Sequence, residues 1–212
     1  MGNLKDDDSS NVETLVKNFA KDMTGEAAKL RKARLEKQKK DQGGAKDKAG
    51  KKSAPASVPV VTFSLSQNKQ SKSRTPAEQA QEVAKGKSWV CWGAHMADKA
   101  RHVLMKVDGK VSWDAAKALG EDFKTFKDKW GQVMKKYGLK NFKGGDGWGA
   151  GDEFHLELAD SKMSRTDDRA LACLDEYARL TREKGQKQNA KFEKEYEKEL
   201  KPYIEKYEKA KK

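Results

Sequence analysis

No stretch of this chain approaches the ~20 consecutive apolar residues that a membrane span requires, so a transmembrane segment is not expected. The opening residues, Met1-Gly-Asn-Leu-Lys-Asp-Asp-Asp8, lack the basic start and apolar core of a secretory signal. Gly2 invites a myristoylation reading, but Asp6 stands where that motif takes Ser or Thr, which excludes it. Cysteine is scarce. Cys91 and Cys173 have no metal-type spacing and form no framework, and they read as two free thiols in a reducing compartment. Apolar residues are sparse as well: 35% of the chain, against 37% charged, is too few for a sequence that is globular throughout. Part of its 212 residues should therefore be solvated extension around one domain of ordinary size. What is abundant is positive charge. A net +13 predicts attraction to polyanions, whether nucleic acid, anionic lipid or the acidic polymers of a bacterial envelope.

The apolar pattern divides the chain. Ser10-Asn-Val-Glu13 has the form of a capping box. Behind it Val12, Leu15, Val16, Phe19, Met23, Ala27 and Leu30 recur at helical spacing, predicting an amphipathic helix over about 11–40 that turns Lys/Arg-rich after Lys29. Residues 41–57 are small and charged without periodicity, which marks a linker. Residues 1–57 thus read as a basic helix and linker, and the compact domain as starting near Val58.

Val58–Ser66 is β-branched and alternating, a strand. Thr75 is suited to an N-cap and Pro76 to the first helical position, so a helix is expected over 76–85, ended by Gly86. Val103–Val107 reads as a second strand, with Asp108-Gly109 as its turn. Ser112 or Asp114 then caps a long helix carrying Ala116, Leu119, Phe123, Phe126, Trp130, Val133, Met134 and Tyr137 on one face, closed by Gly138 in a left-handed conformation. A glycine-rich turn leads into Asp152-Glu-Phe-His155 and the alternating strand Phe154, Leu156, Leu158. Ser164–Thr181 is helical in pattern, and Arg182–Lys212, with Pro202 breaking its register, reads as a charged solvent helix.

The chain has only three histidines, and their placement is informative. His95 and His102 precede the second strand, and His155 opens another. Two such strands paired in one sheet would bring three imidazoles to a common point. Three neutral imidazoles around Zn²⁺, with the fourth position left to water, make an open catalytic site. The metal lowers the pKa of that water to about 7 and polarises a carbonyl. Asp152, three residues before His155, is placed to act as general base and then acid. The planar fork of Arg74 suits a substrate carboxylate.

These residues carry a family resemblance. Arg74-Thr-Pro-Ala-Glu-Gln79, His95 with Ala100, Asp108-Gly-Lys-Val-Ser-Trp-Asp114, Gly138-Leu139, Gly144-Gly-Asp-Gly-Trp148, and Asp152-Glu-Phe-His-Leu-Glu157 stand in one order over about residues 60–160. In that order they resemble the zinc D-Ala-D-Ala carboxypeptidases and L-alanyl-D-glutamate endopeptidases of bacterial cell walls and phage endolysins. The resemblance implies an α+β fold, a small central antiparallel sheet flanked by helices, over residues 58–162. Basic helical extensions would lie on either side, at 1–57 and 163–212. It implies Zn²⁺ as cofactor, His95 and His155 as ligands, Asp152 as the catalytic acid–base residue and Arg74 as the residue that positions or polarises substrate. The substrate would be a peptidoglycan stem peptide cleaved beside a D-amino acid. Partners would include anionic envelope polymers met by the basic tails, and the location would be the cytoplasm of a phage host before release to the wall, or the virion.

The chain also departs from that pattern. Gly93 replaces a serine, Asp98 a glycine, and His102 an aspartate ligand. The metal set becomes His95, His102 and His155, with Asp98 as the alternative to His102. Glu157, on the face of His155, is a candidate to orient a ligand imidazole. The rival reading from charge is a basic nucleic-acid-binding or virion structural protein on a catalytically altered peptidase-like fold.

Overall fold

The computed structural model describes residues 7–43, 57–67, 73–112, 114–141, 155–161 and 163–210. Packing divides the chain into two compact units, one taking Ser10–Ser66 and Arg101–Ala159, the other Gln67–Ala100 and Asp160–Lys212. Each is described by itself.

The first unit is built on a small sheet. Its strands are β1 (Val61–Leu65), β2 (Ala100–Val107), β3 (Lys110–Val111), β4 (Leu139–Asn141) and β5 (His155–Leu158). They follow the order β1-β2-β5-β4, with β3 hydrogen-bonded to β2. The pairs β1/β2, β2/β3 and β4/β5 are antiparallel. The α+β class and small antiparallel sheet match the sequence expectation. Asp108 (φ 49°) and Gly109 (φ 80°) make the β2–β3 turn, both in the left-handed conformation that a two-residue hairpin of this hand requires. β2 starts earlier than its apolar run suggested, so His102 lies within the strand rather than ahead of it.

A long helix, α1 (Asp7–Gly43), belongs to the same unit from Ser10 onward. It begins before Ser10, so the expected capping box lies inside the helix. Its apolar stripe is buried: Val12, Val16, Phe19, Ala20, Met23 and Ala27 join Val61, Phe63, Val103, Met105, Phe126, Trp130, Leu139 and Leu156 in one core. The Thr24 hydroxyl accepts from the Phe63 amide at 2.8 Å, which occupies an outward-facing donor on edge strand β1. Two cations of the Lys/Arg-rich half are tied down, Arg31 to the Val58 carbonyl at 3.1 Å and Arg34 to that of Leu119 at 3.2 Å. The division expected at residue 58 is therefore not the division made by packing. Alternation of charge and apolar residues gave α1 a face, but periodicity does not say what that face covers.

The expected single helix after Asp114 is two helices, α3 (Ala115–Leu119) and α4 (Phe123–Lys136), joined by a tight turn at 120–122. Gly120 makes the break. Its φ is +56°, and a Cβ there would meet the Arg34 guanidinium at 3.2 Å. The aromatic stripe of α4 is packing, as its pattern predicted: Phe19 meets Trp130 edge-on at 4.6 Å, and Phe63 stacks on Phe126 at 5.5 Å. Asp22 accepts from Lys136 at 2.7 Å and Tyr137 at 2.8 Å, and these bonds hold its carboxyl below the usual carboxylate range. Gly138, at φ +63°, ends the α4 segment in the left-handed conformation expected of it.

The second unit is helical. Thr75 and Glu78 form a reciprocal capping box at the start of α2 (Pro76–Ala84), with Pro76 in the first turn as predicted. α5 (Asp168–Ala178) is capped by Asp167, whose carboxylate accepts from the Arg169 amide at 2.9 Å. A π-helical turn (Arg179–Glu183) follows, then α6 (Ala190–Glu195) and α7 (Glu197–Lys209), which carries Pro202 inside it. The segment beyond residue 163 is not a solvated extension: Leu174, Tyr177, Leu180, Phe192, Tyr196 and Leu200 form a core with Val83 and Met96. Arg182 pairs with Glu193 at 2.8 Å, and Glu193 also accepts from the Tyr177 hydroxyl at 2.9 Å. Burial pushes that phenol up well beyond its ordinary range.

Cys91 and Cys173 are also in this core, both fully buried and joined as a disulfide with their Cα atoms 5.5 Å apart. This corrects the free-thiol reading. Their separation of 82 residues hides the pairing from any spacing rule.

The burial of α1 has a direct test. Phe19→Ala should lower unfolding free energy by about 3–5 kcal/mol, measured by denaturant titration. On a solvated extension the same change would stay within about 0.5 kcal/mol.

Candidate metal centre

Strand periodicity places two of the three histidines. In β2 the side chains of Val103 and Met105 enter the core, so His102 and Leu104 turn to the other face of the sheet. In β5 Leu156 enters the core, so His155 and Glu157 turn the same way as each other. β2 and β5 are adjacent in the sheet. The result is a direct approach of two imidazoles, His102 Nε2 to His155 Nδ1, at 3.0 Å, with ring centroids 5.0 Å apart. Cross-strand pairing sets Lys140 opposite Glu157, Nζ to Oε1 3.8 Å, on this same face.

His95 reaches its position differently. It sits in a turn where the Met96 amide donates to the Gly93 carbonyl at 2.9 Å and the Lys99 amide to that of Ala94 at 2.9 Å. The Asp98 backbone closes the turn in a left-handed conformation, φ 61°, and Ser73 donates to its carboxylate.

His102 and His155, both in the sheet unit, form the close pair of imidazoles, while His95 belongs to the helical unit. His95 and His155 are buried, at 5% and 8% exposure, and His102 is partly so. Four-coordinate zinc with nitrogen ligands at about 2.0–2.1 Å has ligand–ligand edges of about 3.3–3.4 Å. The 3.0 Å separation of the His102 and His155 nitrogens is close to that edge. Three imidazoles with no carboxylate among them form a borderline-soft nitrogen set, suited to zinc and equally to copper, nickel or iron. The His102–His155 pair could contribute two nitrogen ligands to such an ion.

The other expected site residues fare unequally. The Arg74 amide donates to the His95 carbonyl at 3.2 Å, and its guanidinium to Gln79 Oε1 at 3.1 Å. Asp152, with the glycine–tryptophan segment through Trp148, lies outside the described residues, as does Trp113. Trp92 is structural: it packs edge-on against Tyr196 at 4.7 Å, with Arg165 over its ring at 4.8 Å.

Gln79, the partner of Arg74, was given no role from the sequence. Its Nε2 donates to Ser88 Oγ and the Val90 carbonyl, both at 2.7 Å, which leaves Oε1 to accept from Arg74. The signal was present in the sequence. Gln79 shares the buried side of α2 with Ala80, Val83 and Ala84, and a polar residue at such a position needs partners.

Among known proteins, no family model matches the chain, and no curated protein or solved structure is detectably similar to it.

If the three histidines form one centre, the protein should bind about one equivalent of Zn²⁺, with His102→Ala and His155→Ala each costing most of that affinity. Elemental analysis of dialysed protein checks the first point and chelator competition the second. Full zinc retention by the double alanine variant would place the metal elsewhere.

Proposed function

We propose that the chain is a zinc-dependent peptidase that hydrolyses peptidoglycan stem peptides beside a D-amino acid. The observation that carries this reading is the 3.0 Å approach of His102 and His155 from adjacent strands β2 and β5, to which the resemblance adds His95 as third ligand. The order of the surrounding motifs, from Arg74 to Glu157, supports the substrate class by resemblance.

The three imidazoles would hold the ion, which when bound supplies Lewis acidity toward water and toward a peptide carbonyl. The remaining roles belong to side chains. Arg74 binds and orients substrate through a carboxylate or the scissile carbonyl, and Gln79 keeps its guanidinium from collapsing onto other acceptors. Asp152 takes the proton of the attacking water and returns it to the leaving amine. Glu157, on the sheet face of His155 and nearly buried, supplies the carboxylate that fixes a ligand ring or offsets local positive charge.

The basic surface suits this substrate. Wall polymers are polyanionic, and a chain of net charge +13 gathers at them before any specific contact forms. Release to the wall would also place the protein where its disulfide persists.

Digestion of purified peptidoglycan, followed by mass analysis of the fragments, tests the reading. With Zn²⁺ present the wild-type chain should release new amine termini, and Asp152→Ala should lower the rate by roughly 10²–10⁴-fold. An Arg74→Lys chain should lose rate through weaker substrate binding, seen in KM. The reading fails if the wild type releases none.

A further inference from the structure

Among the described residues Trp89 is the one aromatic side chain that stands exposed, at 54%. Its segment is nevertheless tied down within the helical unit. The Ser88 amide before it donates to the Glu82 carbonyl at 3.0 Å, the Val90 carbonyl after it accepts from Gln79, and Cys91 is bonded to Cys173. A large apolar ring is thus held in water on a fixed backbone, which is the preorganisation that a binding contact needs. Beside it lies a hollow of about 200 Å³ lined by Gly86, Trp89, Asn189, Lys191, Phe192 and Glu195. Phe192 is the buried part of the lining, packed on Tyr177 and Tyr196 with ring centroids 4.9 and 5.1 Å away. Three bonds hold Asn189. Its amide donates to the Tyr177 hydroxyl at 2.9 Å, its Nδ2 to the Val83 carbonyl at 2.9 Å, and its Oδ1 accepts from the Phe192 amide at 3.1 Å. Lys191 Nζ lies 3.7 Å from the Trp89 ring centroid, and Glu195 follows Lys191 by one turn of α6.

We propose that this hollow binds a neutral pyranose ring of a glycan, stacked on the indole of Trp89. The site takes no metal and is independent of the histidines.

The charges of the lining select a neutral ligand. Lys191 and Glu195 are of opposite sign and one turn apart, so neither an anion nor a cation finds an unopposed partner. A cation would also have to replace Lys191, which already holds the favourable place over the ring. A wholly apolar ring would cover Asn189, Lys191 and Glu195 without answering their polar groups. A pyranose meets both demands. Its C–H face is flat and apolar, like the indole, and the hydroxyls at its edge each donate and accept. The second Nδ2 hydrogen of Asn189 and the Lys191 ammonium are donors for them, and the Glu195 carboxylate is the acceptor. Glu195 takes one bond from the Tyr196 hydroxyl, at 2.8 Å, and a carboxylate has acceptor sites beyond that one. Lys191 is exposed on a flexible stem, so it covers the indole without ligand and moves aside at little cost. The hollow is smaller than the roughly 300 Å³ at which pockets begin to enclose drug-sized molecules, so it takes one ring and leaves the rest of the glycan on the surface.

The test is titration of the full chain with chitotetraose and with cellotetraose, both neutral β-linked pyranose oligomers, read by tryptophan emission and calorimetry. EDTA is present throughout, so no metal-dependent process contributes. At least one oligomer should saturate, with Kd on the order of 1 mM for a site of this size. Trp89→Ala should weaken that binding roughly tenfold or more, and Trp89→Phe, which keeps a smaller ring, should lose less. Because the ligand is neutral, affinity should hold within about twofold from low to high salt, whereas binding of a phosphate polymer would fall steeply. Circular dichroism should be unchanged in both variants, since Trp89 is exposed. If Trp89→Ala does not fold, Glu195→Ala, also at an exposed position, should still weaken binding severalfold. The site is overturned if neither oligomer saturates, if Trp89→Ala binds like the wild type, or if only tetramethylammonium or adenosine monophosphate gives a saturable response. A chain that binds saccharide here but releases no amine termini from peptidoglycan keeps this site and loses the peptidase reading. The reverse result removes this site alone.

Discussion

The alternation of side chains along β2 and β5 is the constraint on which the candidate site and the first core both depend. Val103, Met105 and Leu156 enter the core, and the intervening His102 and His155 are thereby sent to the opposite face. A register slip of one residue in either strand would bury an imidazole among aromatic rings and expose a core residue. The core thus specifies the chemistry. Phe63, Phe126 and Trp130 give the sheet its apolar partner, and each contact that favours this register also favours the 3.0 Å approach of the two imidazoles. α1 strengthens the same choice by covering β1 and contributing Phe19 and Met23.

Local chemistry was legible in the sequence where one short segment decides it. Thr75-Pro-Ala-Glu78 encodes its capping box because all partners lie within one turn, and Asp108-Gly109 encodes its hairpin because the two residues alone supply the needed backbone conformation. The strand at His155 and the stripe on α4 were legible from period alone. The approach of His102 to His155 was legible in part, because two strands that pair must align their polar faces. What escaped depends on partners distant in sequence. Cys91 meets Cys173 across 82 residues, and Phe192 and Leu200 find a core that their Lys/Glu-rich neighbours conceal. Low apolar content suggested solvated ends, but helices with narrow apolar stripes need few such residues to close a small core. Gly120 splits a helix that its flanking residues would continue, because Arg34, from far upstream, occupies the space a side chain would take.

The many surface ion pairs of this chain contribute little by comparison. Lys17–Glu13, Lys29–Glu26 and Lys206–Asp175 are exposed, and such pairs are worth at most about 1 kcal/mol each. The Arg182–Glu193–Tyr177 group is different. Arg182 and Glu193 are only 12% and 18% exposed, each charge is answered, and the phenol donates to the same carboxylate. Removing one member would leave the others desolvated and unpaired, which is where the cost of a buried pair arises. Net positive charge therefore acts on encounter with partners, while a few enclosed contacts set the fold.

An all-histidine metal set would bear on the charge of the site. Neutral imidazoles would donate electron pairs but no negative charge, so a divalent ion among them would keep its full +2. Such a site favours anionic or strongly polarised groups and disfavours cationic ones. Glu157 is the carboxylate that the sheet itself supplies nearby, on the face of His155 and within 3.8 Å of Lys140. Its burial at 8% exposure, in a strand that must otherwise serve the core, is costly unless positive charge answers it. Lys140 answers it from one side. A metal ion at the neighbouring imidazoles would add positive charge on that side of the sheet.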